Sequence, residues 1–348
     1  MAHSPVVSVV MAVRDGRRWL RAAVDSALAQ TFADFELLIV DDGSTDETPQ
    51  ILVEYRKRDR RVQVLTQGRE GLAPALNRGL AAAGGSLIAR LDADDVALPQ
   101  RLQRQVDYLH AHPGVVLLGS WAQVIDEQGR VRHRRLRPPT DPPSLARLLP
   151  RTNPFVHSSV MFRAAAAREV GGYRVALEMA EDYDLWLRLC EHGQIAILPE
   201  ILVHYRRHGG NVSKTKAVSQ IFAARLARLS YAERQKTGRD PCSAPLSPPD
   251  WHAAEAGAFY ADDARLCRVL ELSDPTVAET ITPSSIDFEV ISRRLAELTH
   301  AERKLAQLAL VNVLRRRRGA AGYSRGALFA LIFRLDPARA LRLYWRAL

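Results

Sequence analysis

Short runs of aliphatic and β-branched residues alternate with amphipathic stretches through the first half of this chain, and that rhythm leaves few folds open. Val6 to Met11 reads as a buried strand. Arg17 to Gln30 then sets Leu20, Val24, Ala27 and Leu28 at helical spacing, and Phe35 to Val40 returns as a strand ending at Asp41 and Asp42. The unit repeats. Thr45 to Arg58 reads as a helix, Val62 to Thr66 as a strand, Leu72 to Ala83 as a helix closed by Gly84 and Gly85, and Leu87 to Leu91 as a strand. An α/β fold follows, Rossmann-like, with a mostly parallel sheet flanked by helices and the strands' carboxyl ends on one edge.

Beyond Asp92 the pattern continues less regularly. Pro99 to Ala111 reads as helix, Val115 to Ser120 as strand and Leu145 to Leu149 as a short helix after the Pro138 to Pro143 connection. Asn153 to Arg163 is strand-like, Asp182 to Glu191 helical and Ile195 to Leu198 a strand. A compact α/β domain over 1–213 is expected. Residues 214–348 are expected to be mainly helical, with a Pro-rich loop at 236–250 and basic amphipathic helices at the end.

Cys190, Cys242 and Cys267 are too few and too scattered for a disulfide framework or a structural zinc site. The opening residues lack the marks of a secretion leader, and no apolar run approaches the roughly 20 residues that span a bilayer. A cytoplasmic location is expected. Of the net charge of +10, the segment from His300 to Leu348 carries all but one unit, through eleven Lys and Arg against Glu302 and Asp336. Such a tail on a nearly neutral body suggests local docking rather than a nucleic-acid-binding enzyme. Leu328, Leu331, Ile332 and Leu335 follow helical spacing, as do Leu341, Tyr344, Trp345 and Leu348. These helices suit an anionic membrane surface at the inner face of the cell membrane, the catalytic domain, or a second copy of the chain in a homodimer.

Two acidic clusters follow predicted strands, at the sheet edge where α/β proteins bind ligands. In Val40 to Asp46, Asp42 can accept hydrogen bonds from a base or ribose, while Ser44 or Thr45 with Glu47 can cap the next helix. In Arg90 to Asp95, Asp92, Asp94 and Asp95 place three acids in four residues. Their repulsion favours a hard divalent cation, Mn²⁺ or Mg²⁺, shared with substrate phosphates; an exposed acidic turn is the alternative.

Val7 to Val13, the Asp41-Asp42-Gly43-Ser44 turn, Asn77-Arg78-Gly79 and Leu91 to Asp95, in that order, resemble the family 2 glycosyltransferases with the GT-A fold, of the SpsA-like sort. The resemblance runs from Ser4 to about Ser213 and implies a nucleotide-sugar donor of the UDP, GDP or dTDP type. It assigns Ala12, Val13, Arg14, Asp42, Asn77, Arg90, Asp92, Ala93 and Arg206 to the donor site, and Asp94 and His208 to the metal. His157 and Glu181 fall to the acceptor or a phosphate, and Asp182 to the general base that deprotonates an acceptor hydroxyl during inversion. On the residues alone Glu181 and Asp184 compete with Asp182. Many relatives carry Tyr-Asn after the first strand where this chain has Arg14-Asp15, so the base-contacting corner is altered.

The function implied is an inverting, metal-dependent glycosyltransferase acting on a glycan or lipid-linked acceptor in cell-envelope polysaccharide or glycolipid assembly. A nucleotidyltransferase on a similar sheet would favour a Gly-rich phosphate loop near the first strand, which is lacking. A nucleic-acid-binding protein acting through the tail would place aromatics among its arginines, and these are sparse.

Overall fold

A computed structural model describes residues 4–209, 216–243, 260–280, 286–315, 325–337 and 340. Its first half is β1 (Val7–Val13), α1 (Leu20–Leu28), β2 (Phe35–Asp42), α2 (Thr48–Arg58), β3 (Val62–Gln67), α3 (Leu72–Ala82) and β4 (Leu87–Arg90). These strands pair in parallel in the order β3-β2-β1-β4. Every residue of β1 and β2 is buried, because helices cover both faces; that is why they read as continuous apolar runs. The polar exceptions satisfy one another. Ser8 Oγ donates to Glu36 Oε1 at 2.6 Å, and Glu36 also accepts from Gly84 N and Gln63 Nε2.

The second half contributes β5 (Val96–Ala97), α4 (Arg101–Ala111), β6 (Val115–Ile125), β7 (Val131–Leu136), α5 (Pro142–Leu148), β8 (Met161–Arg163), α6 (Ala164–Glu169), α7 (Glu181–Leu189) and β9 (Gln194–Arg206). The sheet continues β8-β6-β9-β5, with β7 attached to β6 beside that path. It is therefore mixed. Strands β6 and β9 run with β1 to β4, whereas β8, β7 and β5 run against their neighbours. The carboxyl ends of the four first-half strands share one edge, as expected, and these three run the other way. For β7 the cause is its short turn from β6, which permits only antiparallel pairing.

Other boundaries shift for local reasons. Of Asn153 to Arg163 only the last three residues form a strand; His157–Ser159 makes a single turn instead. There Ser159 Oγ bonds Val156 O, while Asn153 Oδ1 accepts from Phe155 N. Strands β6 and β9 run on to Ile125 and Arg206, well past their apolar cores, because their lengths match in one long parallel ladder.

The described part of the C-terminal region is helical: α8 (Ala217–Thr237), α9 (Ala261–Glu271), α10 (Pro275–Thr280), α11 (Glu289–Arg294), α12 (His300–Arg315) and α13 (Arg325–Leu335). Phe222 and Leu226 of α8 join the core around Trp186 of α7. Leu266, Leu270, Phe288, Ile291 and Leu310 form a core of their own. The stripe of Leu328, Ile332 and Leu335 is buried in that core, so it is not presented to a membrane. Gln307 Nε2 of α12 fixes α13 by donating to Ile332 O and Asp336 O, each at 3.1 Å. The second stripe, residues 341–348, lies outside the described residues, as do 244–250 of the Pro-rich loop and the boundary at Ser213. No described helix is long and apolar enough to cross a membrane.

Candidate active site

The crevice lies at the carboxyl ends of β1, β2 and β4. Ala12 and Val13 close β1 and are buried, and the chain turns sharply after them, with Asp15 at φ 51°. Asp15 Oδ1 accepts from Thr45 N at 2.8 Å, and Asp15 N donates to Ser44 Oγ at 2.9 Å. The altered Arg14-Asp15 corner is thus a clasp across the β1 and β2 loops. Ser44 and Thr45 are occupied there and do not cap α2; Asp46 Oδ1 accepts from Thr48 N instead.

Asp42 is buried and holds the loop before α3. Its Oδ1 accepts from Glu70 N at 2.8 Å and Gln67 Nε2 at 2.9 Å, and its Oδ2 from Gly71 N at 3.1 Å. The Arg14 guanidinium stands 3.8 Å from Oδ2. Asn77 is committed further away: its amide donates to Tyr173 O and accepts from Tyr173 N.

The acidic loop between β4 and β5 holds three carboxylates in three environments. Asp92 Oδ1 meets Arg90 at 2.5 Å, and its Oδ2 accepts from Ser158 Oγ at 2.8 Å. Burial works against its ionisation, but Arg90, His157 and Ser158 outweigh burial and hold it below the usual carboxylate range. Asp94 is pushed up by burial and by Asp92, with the His208 ring, 2.9 Å from Oδ2, and its own backbone N–H opposing. Asp95 is raised well above its ordinary value by burial and by the other two acids, and its Oδ2 is buried without a partner. Ala93 is half-buried between them.

Beneath the loop, Arg90 is almost fully buried and donates to Val10 O and Leu91 O. Arg101 is buried beside it, donating to Arg90 O and Val160 O; burial and Arg90 pull its guanidinium down to about 9. At the far side, Arg206 brackets the loop. Its backbone N–H donates to Asp95 Oδ1 at 2.7 Å, its Nε to Asp94 O at 2.7 Å, and its Nη1 to Asp126 O and Glu127 O. A residue expected to meet a diphosphate therefore commits these donors to holding the loop. Trp19 completes the bracket: its indole lies 4.3 Å from the His208 ring and donates to Glu127 O.

The third element is the amino end of α7. Asp182 is half-buried, accepting from Tyr183 N at 2.6 Å and Asn153 Nδ2 at 3.0 Å. Burial pushes its carboxyl up to about 6, with Asp92 adding to that and Arg90 opposing, so it lies in the same electrostatic field as the acidic loop. Its competitors differ. Asp184 is fully buried in an ion pair with Arg188 at 2.6 Å and a longer one with Arg174 at 3.4 Å. Glu181 is buried with Oε2 unpartnered, and burial with Asp182 pushes it up to about 8. His157 lies 3.1 Å from Tyr173 Oη and edge-on to Trp186, with burial and Arg90 pulling it down to about 3. It is neutral at pH 7.

The structure brings Arg90, Asp92, His157 and Asp182 into one field and gathers Asp94, His208 and Arg206 into another corner, while Asn77 faces Tyr173. Sequence reasoning missed Trp19, Arg101, Asn153, Ser158 and Tyr173. Their partners are distant in sequence, and only Asn153 and Ser158, within the segment from Asn153 to Arg163, carried any signal.

Among the described residues no three His, Cys, Asp or Glu side chains gather into a preformed metal cage. A divalent cation shared with phosphates needs only one or two protein ligands. The orphaned Asp95 oxygen and the raised Asp94 and Asp95 carboxyls are what such a cation would relieve, so the residues fit one.

Residues 8–171 match the family described as Glycosyl transferase family 2. The chain is 37% identical over 197 residues to the putative glycosyltransferase EpsE of Bacillus subtilis, covering 56% of this chain and 69% of that one. It is 34% identical over 214 residues to the O-antigen biosynthesis glycosyltransferase WbnJ of Escherichia coli, covering 60% and 83%. Among solved structures, the mannosyltransferase PcManGT of Pyrobaculum calidifontis, in complex with GDP-Man and Mn²⁺, superposes with a TM-score of 0.52 at 15% identity, covering 99% of this chain and 88% of that one. Matched at its amino-terminal half by motif order, family and relatives, and over nearly its whole length by fold, the chain belongs to glycosyltransferase family 2 and has the GT-A architecture with a helical C-terminal region.

Proposed function

We propose that this chain is an inverting, metal-dependent glycosyltransferase moving a hexosyl or related sugar from a UDP-, GDP- or dTDP-sugar to a hydroxyl acceptor. The observation that carries the reading is Asp182, a carboxylate near pH 6 in the field of an acidic strand-end loop. At neutral pH it is mostly ionised yet basic enough to take a proton. The acceptor oxygen attacks the anomeric carbon as its proton passes to Asp182, and the nucleoside diphosphate leaves from the opposite face. Glu181, held protonated beside it, is not free to take that proton.

Asp94 and His208 are the residues to hold Mn²⁺ or Mg²⁺, which supplies charge stabilisation for the departing diphosphate. Asp92 and Arg90 orient the donor, with Ala12, Val13, Arg14, Asp42 and Ala93 lining its nucleoside end. The Mn²⁺ and GDP-Man of PcManGT support the metal and the donor class, and the O-antigen role in WbnJ's name supports a cell-envelope polysaccharide or glycolipid product. Residues 1–213 form the catalytic unit, working on the cytoplasmic side of the membrane. Helix α8 packs on that unit, and the rest of residues 214–348 serves to dock it to the membrane, to a partner or to a second copy.

The test is a thermal-shift screen of nucleotide sugars with and without Mn²⁺, followed by turnover assays. Asp94→Ala should abolish the Mn²⁺-dependent stabilisation. Asp182→Asn should keep donor binding and lower turnover by about 10²- to 10⁴-fold. Unchanged turnover removes Asp182 from the mechanism, and no donor binding at all removes the reading.

A further inference from the structure

The most basic exposed element of the described chain is β7, and none of the donor, metal or base roles uses it. Residues 130–137 carry Arg130, Arg132, Arg134, Arg135 and Arg137 with His133, and all six are exposed. Strand β7 pairs only with β6 among the described residues, which leaves its outer edge open. Two features keep the arginines presented outward. The ladder shifts register between the Gln123 and Ile125 pairings, and the Gln123 amide fills that gap by donating to Arg134 O at 3.0 Å and to Arg132 O. Arg137 lies over the Trp121 ring at 4.8 Å, a stiff platform at the strand's far end.

Charge on an edge strand prevents unwanted strand pairing, but one or two charges suffice for that. Here, among the described residues, the five arginines of 130–137 have one ion-pair partner, Asp126, which meets Arg132 at 2.9 Å. The surplus is arginine throughout, whose planar fork matches phosphate and carboxylate oxygens. Val131 is the one large apolar side chain exposed on the strand and Leu136 is half-buried, so the strand exposes no Trp, Phe or Leu of the kind a membrane-inserting surface uses.

Position adds direction. The turn from which β7 departs gives its Asp126 and Glu127 carbonyls to Arg206, and Arg206 Nε donates to the Asp94 carbonyl. One side chain therefore separates the start of the arginine strand from the acidic loop. A six-residue strand extends about 20 Å, enough to hold several units of a linear polymer.

We infer that β7 is an acceptor-docking strand that binds a linear acidic glycan, carrying carboxylate or phosphate groups, and leads its end toward the crevice. The inference rests on the glycosyltransferase reading and narrows its acceptor class.

The full chain is titrated by calorimetry with an oligogalacturonate and with a neutral malto-oligosaccharide of the same length, at low and raised salt. The oligogalacturonate should bind with a steep salt dependence, and the neutral chain should not. Combined Arg130→Gln, Arg132→Gln and Arg134→Gln should weaken binding by about tenfold or more and flatten the salt slope. Arg135→Gln with Arg137→Gln is the second variant, which carries the test if the first does not fold. Wild-type affinity in the folded variant, absence of oligogalacturonate binding, or equal binding of the neutral chain overturns the proposal. So does a loss confined to phosphatidylglycerol vesicles, which would assign the strand to a membrane. Donor-induced thermal shifts are measured in parallel: if they persist while the oligogalacturonate arm fails, this proposal falls and the glycosyltransferase reading stands, and the converse result separates them the other way.

Discussion

Asn153 offers the most direct test of the base proposed at Asp182. Its Nδ2 donates to Asp182 Oδ2 at 3.0 Å, one of the bonds that favour the ionised carboxyl against the burial that lifts it to about 6. A hydrogen bond to a charged group contributes about 1.5–3 kcal/mol. At about 1.36 kcal/mol per pH unit, Asn153→Ala should displace the acid limb of the kcat/KM profile upward by about one to two pH units. With the wild-type limb near pH 6, activity at that pH should fall about five- to fiftyfold, while the alkaline plateau should be nearly preserved. Nucleoside diphosphate release, followed across the pH range with donor and acceptor saturating in turn, reads this out. Recovery at high pH is the discriminating feature. Asn153 Oδ1 also accepts from Phe155 N, and a collapsed loop would depress the rate equally at every pH. An unmoved acid limb would refute the assignment of that limb to Asp182.

Glu181→Gln tests the buried neighbour through stability. The folded state keeps a proton that the unfolded state releases, so wild-type stability should fall as pH rises from the ordinary value of 4.5 to about 8. The variant's advantage in urea unfolding should open across that window, level off above it and reach on the order of a few kcal/mol; a pH-independent difference would show that Glu181 titrates normally. Gly79→Ala tests packing. A Cβ there would lie 2.5 Å from Val10 Cγ1 in the central strand, so overpacking of about 1–3 kcal/mol should exceed the helical gain of about 0.5–1. The melting temperature should drop, and a rise would mean that α3 shifts away without cost.

The parallel half of the sheet was legible because burial on both faces writes an uninterrupted apolar run, as in Val7 to Val13 and Phe35 to Asp42. Strand β7 was not, since its three arginines and one histidine carry no hydrophobic period, and the two residues of β5 are too short to show one. For the site, the sequence pointed to Asp42, Asp92 and Asp94 by their positions at strand ends and to Asp182 mainly by the family resemblance. It could not show that Arg206 would be occupied by the Asp94, Asp126 and Glu127 carbonyls, nor that Trp19 would shelter His208, because those contacts join segments that only the folded sheet brings together. The tail illustrates the converse. An amphipathic stripe at Leu328, Ile332 and Leu335 looks the same in sequence whether a bilayer or helix α12 covers it.

The acidic loop is anchored at both ends in one sheet: β4 precedes it, β5 follows it by pairing with Val203 and His204 of β9, and Arg206 fastens its middle. Ordering a free loop of that length would oppose ligand binding by about 1–2 kcal/mol of backbone entropy for each residue. Here folding has already incurred that cost, so association need only displace water and neutralise charge. The same anchoring ties the loop's opening to that of the sheet. The amides of Asp95 and Arg206 should exchange with solvent as slowly as those of the central strands, and capacity for donor should vanish in the same transition as the fold rather than before it.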